Sequence, residues 1–594
     1  MQCNEQQHIN SRQQRKLAYR ARYRLLSIHR DAQNLKKRVY SILLESHGHH
    51  HDDDDDDDDD ASSCTDTQRI KSFPWLPNKN CGSWYLPPDE VTTSTEVYFK
   101  SSDGHITSKY AFSLKRLNLP LIELLHQVNS CFLVDSSVRK ILPDSFSRTI
   151  PIWCCVMNRI IQRYARGNDD DADEAQWDTS LYTPASIVSP EEYAEILALI
   201  DSRVELLYSS KAIVNPSWLV RTLNKPLRPM WIAEGQVQSY TNSLQLSSVD
   251  DSNYFTIICC NPSYYSEGSS SKNHIHWVNH SSGNNNNDET SSGYYYTPGA
   301  ADDDSEWGRN LSPDLFWSNH EQLLAPNLTD DETDAKIDAI IQRERDNHLT
   351  CVVPNFMENA DKIGNIDLWI GSHEAGKPPD CWLNFDCVLN VTETDYPDMY
   401  ESIKEQQEQR QRKCFYLQLP VAQGKKDKTE LERWMPVGLV FLIHHLQQKR
   451  RVLVYGNKGR DRAVAVVLAL VVFVCPPTYP LKLKDGIHGL NINSMAQFDG
   501  EGDNILYIHS DLRLDLVNAL LKENGRETFL QWMHTHKELQ TSSPQEPFAD
   551  KESLRIVLQL VTQYRENAEP TRSTMQKLNR FFMSSSMYRH NKSL

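Results

Sequence analysis

The sequence predicts a multidomain α/β protein, and three observations predict it. The chain has 594 residues, too many for one ordinary core. Short strand-like apolar runs alternate with helical stretches along most of its length. The hydrophobic share, 39%, lies below the globular average, so tens of residues are expected outside any packed domain. No apolar run reaches the roughly 20 residues that span a bilayer, and the longest, Ala463 to Cys475, stops at Pro476-Pro477. The first residues carry charge without a following apolar stretch, so neither a secretory leader nor a membrane partner is expected. Thirteen scattered cysteines include no Cys-x-x-Cys. That pattern fits reduced thiols in a cytoplasmic protein and offers neither a disulfide framework nor a zinc site.

The net charge of −17 is unevenly placed. Residues 1–50 hold ten Lys/Arg against three Asp/Glu, whereas Asp52–Asp60 is nine aspartates in a row. An acidic average does not argue against nucleic acid where basic groups cluster. Within residues 1–46, Leu25, Ile28, Ala32, Leu35, Val39 and Ile42 fall on one helical face. Arg20, Arg22, Arg24, Arg30, Lys36, Lys37 and Arg38 occupy much of the rest, so docking on a core and contact with RNA phosphates are both open. Residues 47–72 read as a low-complexity His/Asp linker. A mixed α/β domain is expected over 73–350, with strands at Cys131–Val134 and Phe255–Cys260, a helix at Pro190–Ser209 and a disordered insertion about 266–293. A second α/β domain is expected over 362–594. Its strands are Ile366–Ile370, Cys387–Val391, Cys414–Leu419 and Val452–Tyr455, with a helix at Pro436–Gln448.

The last of those strands enters the loop Gly456-Asn457-Lys458-Gly459-Arg460-Asp461-Arg462 and then an apolar helix. Such a strand–loop–helix aims successive backbone N–H groups and a helix N-terminus at one spot, which suits phosphate. The stretch Ile366–Val474, through "WIG", "VLNVTE", "YLQLPV" and this loop, resembles the dual-specificity protein phosphatases. Their loop reads His-Cys-x5-Arg-Ser/Thr. Here Tyr455, Gly456 and Ala463 stand at the histidine, cysteine and hydroxyl positions, and only Gly459 and Arg462 remain. Without a thiolate no phosphoenzyme forms. The domain is expected to hold a phosphate through Lys458, Gly459, Arg460 and Arg462 without cleaving it.

Three clusters carry the chemistry of the N-terminal half. Lys100–His105 precedes Phe112–Leu119; Val134–Lys140 precedes Asp144, Ser147-Arg148-Thr149 and Trp153; Gly299–Asp304 precedes Trp307 and Leu311–Trp317. Asp-Gly-His is a turn with a candidate base, hydroxyls and cations after a strand-end aspartate suit a ribose or phosphate, and consecutive aspartates suit Mg²⁺. The residues alone therefore read as phosphate- or nucleotide-handling.

Taken in order, "LLSIHRDAQ", "CGSWY", "YFKSSDGH", "FSLKRLNLPL", "FLVDSSVRK", "PDSFSRTIPIW", "NPSWLVRTLNKPLRPMWI", "GAADDDSEWGRNLSPDLFW" and "PTRSTMQKLNRFFMS" closely resemble the initiator tRNA phosphoribosyltransferases, the tRNA adenosine-64 2′-O-ribosylphosphate transferases. Ser102 and Val138 depart from the threonine and arginine expected there. The resemblance implies a transferase domain followed by a phosphatase-like domain. It implies transfer of 5-phosphoribosyl from phosphoribosyl pyrophosphate, with Mg²⁺, to the 2′-hydroxyl of a T-stem adenosine in cytosolic initiator methionine tRNA. The added phosphate excludes that tRNA from elongation; no DNA partner is expected. A non-catalytic tRNA-binding protein on an inactive phosphatase-like fold is the alternative. The residues assigned to this chemistry are Asp103 or Asp135 as base or ribose ligand, with His105 as runner-up, and Asp302 and Asp303 for the metal. Lys115, Arg116, Arg139, Lys140 and Arg148 are assigned to pyrophosphate or tRNA, and Arg221, Lys225 and Arg228 are further phosphate candidates.

Overall fold

The structure, a computed structural model, describes residues 20–47, 68–79, 81–93, 95–138, 140–166, 177–233, 236–238, 253–263, 276–279, 293–326, 328–347, 359–410, 413–422, 429–485, 487, 508–509, 514–522, 524–535 and 549–583. It divides into two compact units, residues 1–210 with 216–344, and residues 345–594 with 211–215.

In the first unit, helix α1 (Ala21–His47) has no Gly or Pro and is rich in Leu, Arg and Lys, which favour helix. Strand β1 (Trp75–Pro77), helix α2 (Leu119–Val128), strand β2 (Ser130–Val134), helices α3 (Ile150–Arg166), α4 (Pro190–Ser210) and α5 (Pro216–Thr222), and strands β3 (Leu227–Ala233), β4 (Gln236–Val237) and β5 (Phe255–Cys260) follow. The sheet order is β1-β2-β5-β3-β4, parallel except for β4. Its middle strands are buried on both faces and read as unbroken apolar runs. On one face Leu25, Ile28, Leu35 and Val39 of α1 pack with Trp75, Phe132, Met230 and Ile258. Trp75 and Phe132 stack at 4.3 Å between centroids. On the other face Asn158 of α3 pins β3, donating to the Leu227 carbonyl at 3.0 Å and accepting its amide at 2.8 Å. Helices α6 (Pro313–Leu323) and α7 (Asp330–Asn347) close the α1 side.

One expectation changes here, and one open choice narrows. The insertion about 266–293 is corrected over part of its length: β6 (His276–Asn279) pairs antiparallel with β7 (Gly293–Tyr296). Aromatic and β-branched residues give that short run strand character within a polar segment. The remainder of the insertion, most of the 47–72 linker and Arg139 lie outside the described residues. The basic charge of α1 is also largely committed internally. Arg24 is buried and donates to the carbonyls of Ala300 and Asp302 at 2.7 and 2.8 Å. Arg38 bonds the Pro262 carbonyl, Lys36 pairs with Glu90 at 2.8 Å, and Arg20 pairs with Asp330 at 3.0 Å. The helix docks on the core.

The second unit carries β8 (Ala360–Lys362), β9 (Leu368–Gly371), β10 (Cys387–Asn390), α8 (Met399–Arg410), β11 (Phe415–Gln418), α9 (Glu430–Gln447), β12 (Val452–Tyr455), α10 (Arg462–Val474), β13 (Ile508–His509), α11 (Leu514–Leu521), α12 (Gly525–Thr535), α13 (Lys551–Thr562) and α14 (Arg572–Met583). Its sheet order is β13-β11-β10-β12-β9-β8, parallel through the four inner strands. Helix α9 starts before the expected Pro436, because Leu431 and Met435 are buried and carry the helix through the proline. Helix α10 is apolar all round because it touches the sheet on one side and α9, α13 and α14 on others. No helix among the described residues is long and apolar enough to cross a membrane.

Candidate active site

In the first unit the polar residues gather where the parallel strands end, the usual place for a ligand in an open α/β sheet. Asn78 follows β1, Asp135-Ser136-Ser137 follow β2, and Asn261 and Ser263 follow β5. Asn78 donates to Asp135 Oδ2 at 2.7 Å, and Ser136 Oγ lies 3.1 Å from both Asn261 Oδ1 and Ser263 Oγ. Ser263 Oγ accepts the Gly299 amide at 2.8 Å. Gly299 has φ +69°, and a Cβ there would stand 2.3 Å from the Ser137 carbonyl oxygen, so the Gly299–Asp304 segment sits directly on the Ser136–Val138 segment. The first cluster joins through a π-helical turn, Ser145–Thr149. Ser101 Oγ accepts the Ser145 amide at 3.2 Å, Thr149 Oγ1 accepts the Gly104 amide at 3.1 Å, and Ser145 Oγ donates to Asp135 Oδ2 at 2.6 Å. Three segments far apart in sequence thus meet at one sheet edge.

The side chains there divide by what already holds them. Asp135 is fully buried and accepts from Asn78, Ser145 and the amides of Cys81 and Ser136. Burial pushes its carboxyl up to about 6 against those four bonds. Buried and bonded on both oxygens, it ties the strand ends together, in place of the open position that a base or ribose ligand takes. Asp103 is held differently, since both its oxygens receive Arg116 at 2.7 Å. His105 keeps more freedom. Its ring is 29% exposed, Nδ1 takes the Thr107 amide at 3.2 Å, and Nε2 stands 3.5 Å from Asp144 Oδ2.

Asp144, singled out in the sequence but given no role there, is a hub of this region. It draws Lys140 Nζ at 2.5 Å and Arg148 at 3.1 Å as well as His105. Arg148 also forks onto Glu192 at 2.7 and 2.8 Å. Arg228 pairs with Asp178 at 3.0 Å beneath the Tyr254 ring, and Lys225 donates to Asn129 at 2.9 Å. Lys115 is half-buried and Arg221 exposed. The cations of this unit are thus mostly held by its own carboxylates and carbonyls.

The aspartate turn is electrostatically less settled. Asp302 Oδ2 accepts from Ser137 Oγ at 2.9 Å and the Val138 amide at 3.0 Å. Asp303 is exposed, and the charge of Asp302, followed by partial burial, raises its carboxyl above the ordinary value. Asp304 accepts Trp84 Nε1 at 3.2 Å. Arg24 beneath the turn bonds the carbonyls of Ala300 and Asp302, and its charge offsets part of the repulsion on Asp303. The described residues hold no ready-made group of three or more metal-ligating side chains. Two carboxylates repelling one another still fit a cation that takes its other ligands from water or a pyrophosphate.

The loop of the second unit is built from below. Arg565, 6% exposed, donates Nε to the Gly459 carbonyl at 2.6 Å and Nη1 to Asp361 at 2.6 Å and the Ile370 carbonyl at 2.9 Å. The Glu569 amide bonds the Arg460 carbonyl at 2.8 Å. A trans peptide holds its N–H opposite its C=O, so the amides of Arg460 and Asp461 face away from these partners. Asp461 precedes α10 without capping it, because its carboxylate accepts the Thr571 amide at 2.8 Å instead. Gly459 has φ +59°, and a Cβ there would lie 2.3 Å from the Gly371 carbonyl oxygen. Lys458 and Arg460 are exposed and make no ion pair with any described residue. Arg462 is 11% exposed and lies 3.7 Å from Asp461. A Cβ on Gly456 would meet nothing nearer than 3.4 Å, so room for a side chain exists where the thiol is missing.

The molecule is a two-part α/β protein, one unit gathering its polar residues at a sheet edge and the other carrying a thiol-less phosphatase-type loop. The chain belongs to the Rit1 family: the Rit1 N-terminal domain matches residues 58–342 and the Rit1 DUSP-like domain matches residues 415–485. It is 29% identical over 317 residues to the tRNA A64-2'-O-ribosylphosphate transferase of Saccharomyces cerevisiae, covering 51% of this chain and 56% of that protein. It is 30% identical over 406 residues to uncharacterized protein C3F10.06c of Schizosaccharomyces pombe, covering 66% of this chain and 75% of that one. A crystal structure of the Yvh1 phosphatase domain from Chaetomium thermophilum covers 37% of this chain and 93% of its own, at 14% identity and TM-score 0.21. That last likeness is too slight to argue from; the phosphatase-like architecture rests on the family match and the strand order.

Proposed function

We propose that this protein transfers 5-phosphoribosyl from phosphoribosyl pyrophosphate to the 2′-hydroxyl of adenosine 64 in the T-stem of initiator tRNA, in the cytoplasm, and so keeps that tRNA from elongation. The observation that carries this reading is the meeting of the three family-type segments at the carboxyl edge of one parallel sheet. Attack of the 2′-oxygen on C1 forms the new glycosidic bond, breaks the bond to pyrophosphate and releases the hydroxyl proton. The His105–Asp144 pair is assigned to that proton: Nδ1 accepts the Thr107 amide, so the neutral ring carries its hydrogen on Nε2, facing Asp144 3.5 Å away, and the ring orients the Asp144 carboxylate that takes the proton. Asp302 and Asp303 would hold Mg²⁺, which supplies neutralisation of the departing pyrophosphate. Lys458, Arg460 and the amides of their loop suit a phosphate of the donor or of the tRNA. An A-form stem is read mainly by shape and 2′-hydroxyls, which suits exposed cations such as Lys458 and Arg460.

The test is to incubate the purified protein with donor labelled in its ribose, Mg²⁺ and initiator tRNA. Label is expected in the RNA, and His105→Ala is expected to lower transfer about 10²- to 10⁴-fold while tRNA still binds. Unlabelled RNA that nevertheless binds tightly would overturn the transferase reading in favour of a non-catalytic tRNA-binding protein.

A further inference from the structure

Helices α13 and α14 border a groove of about 480 Å³, lined by Lys551, Arg572, Met575, Gln576, Asn579 and Arg580. Nothing in the reaction above uses it. Residues 572, 575, 576, 579 and 580 recur at helical spacing and form one face of α14. The two arginines on that face lie about 12 Å apart along the axis. Arg580 is paired with Glu432 at 2.5 Å, but Lys551 and Arg572 are exposed and make no ion pair with any described residue. Asp550 and Glu552, the acids flanking Lys551, are bonded to Ser553 and Arg555 respectively.

The groove begins where the phosphate loop ends. The Thr571 amide bonds the Asp461 carboxylate at 2.8 Å, the Glu569 amide bonds the Arg460 carbonyl at 2.8 Å, and Arg572 is the next residue in the chain. The exposed cations Lys458, Arg460, Arg572 and Lys551 therefore belong to one stretch of the same unit. We propose that the loop and this groove together form a track for the phosphate backbone of an RNA, in which Lys551 and Arg572 neutralise phosphates and Gln576 and Asn579 donate to phosphate or ribose oxygens. Cations spread along a helix face and interleaved with amides suit a repeating backbone better than a single small anion. This assignment rests on the tRNA reading above and locates part of its binding surface.

The experiment uses the full chain and fluorescently labelled initiator tRNA, with binding measured across a series of KCl concentrations. The double variant Lys551→Glu/Arg572→Glu is expected to weaken binding at least about tenfold near 100 mM salt. It should also flatten the slope of log K against log salt by roughly 1.4 to 1.8, since each of the two phosphate contacts contributes about 0.7–0.9. Gln576→Glu, an exposed mid-groove change that leaves every cation in place, should act in the same direction and less strongly. Variants that match wild type in affinity and slope, with wild type binding tRNA, overturn the groove and leave the function standing. Wild type that fails to bind tRNA even at low salt overturns both. Competition by polyglutamate as effective as by tRNA overturns the assignment to RNA.

Discussion

The cations gathered at the two units' candidate sites are held in opposite ways. In the first, Arg24, Arg116, Lys140, Arg148 and Arg228 are locked onto internal carbonyls or carboxylates. In the second, Lys458, Arg460, Lys551 and Arg572 face solvent without an ion pair among the described residues. A cation already paired gains little from a passing phosphate, because it must first give up a partner, whereas an unpaired exposed one releases counterions when the anion arrives. Sequence clusters of Lys and Arg do not distinguish these cases. At the first unit's sheet edge charge is taken up in building the fold, and at the second unit's loop it is left open to an anion arriving from outside.

The sharpest way to break this contrast is at Asp135, where Asp135→Ala would strand Asn78, Ser145 and two buried amides. At about 1–3 kcal/mol for each buried group left without a partner, loss of a cooperative melt for the first unit is expected. A variant with a normal melt and lost transfer would return Asp135 to catalysis. Next in size is Arg565→Ala, which removes the support of the Gly459 and Ile370 carbonyls and the partner of Asp361. A drop of about 3 kcal/mol in denaturant-measured stability is expected, with little recovery in Arg565→Lys, because an ammonium cannot reproduce the planar fork.

A smaller effect separates the units by pH. Asp31 is fully buried and receives Tyr296 Oη at 2.7 and 2.9 Å; burial raises its carboxyl to about 7. The folded state then keeps a proton that the unfolded chain releases near the ordinary value of 3.8. Stability of the first unit should be fullest below that lower value and fall as pH rises toward 7, with Asp135 acting in the same direction up to about 6. Asp31→Asn keeps an oxygen for Tyr296 and should shrink the gap between melts at pH 5 and pH 8; an unchanged gap would remove Asp31 as its source. Least of all should Gly456→Cys disturb the second unit, with a change within about 0.5 kcal/mol, because its Cβ meets ordinary contacts. Gly459→Ala in the same loop should cost more than about 1 kcal/mol, since it combines positive φ with a 2.3 Å approach to Gly371.

Much of the fold was legible before the structure. Strands at Phe255–Cys260 and Val452–Tyr455 and the helices from Pro190 and after the phosphate loop lie within a residue or so of their expected bounds. Each is a long or fully apolar run whose periodicity leaves little choice. The pairing of His276–Asn279 with Gly293–Tyr296 was not legible, because a short strand in polar sequence declares itself only beside its partner. The importance of Arg565 was hidden for the same reason: it sits in no recognisable motif and matters through groups 106 to 204 residues away, and the pairing of Asp144 with His105 spans 39 residues.

What the amino-acid order alone determined is which segments would be strands, helices and loops, that no thiolate stands in the phosphatase-type loop, and which family the chain resembles. These are properties of neighbouring residues, set by side-chain period, backbone sterics and residue identity. Which aspartates are buried, which arginines are already occupied, and which cations remain to meet a phosphate were decided only by the tertiary structure. Desolvation and ion pairing depend on what else arrives in the same few ångströms, and chain distance says nothing about that.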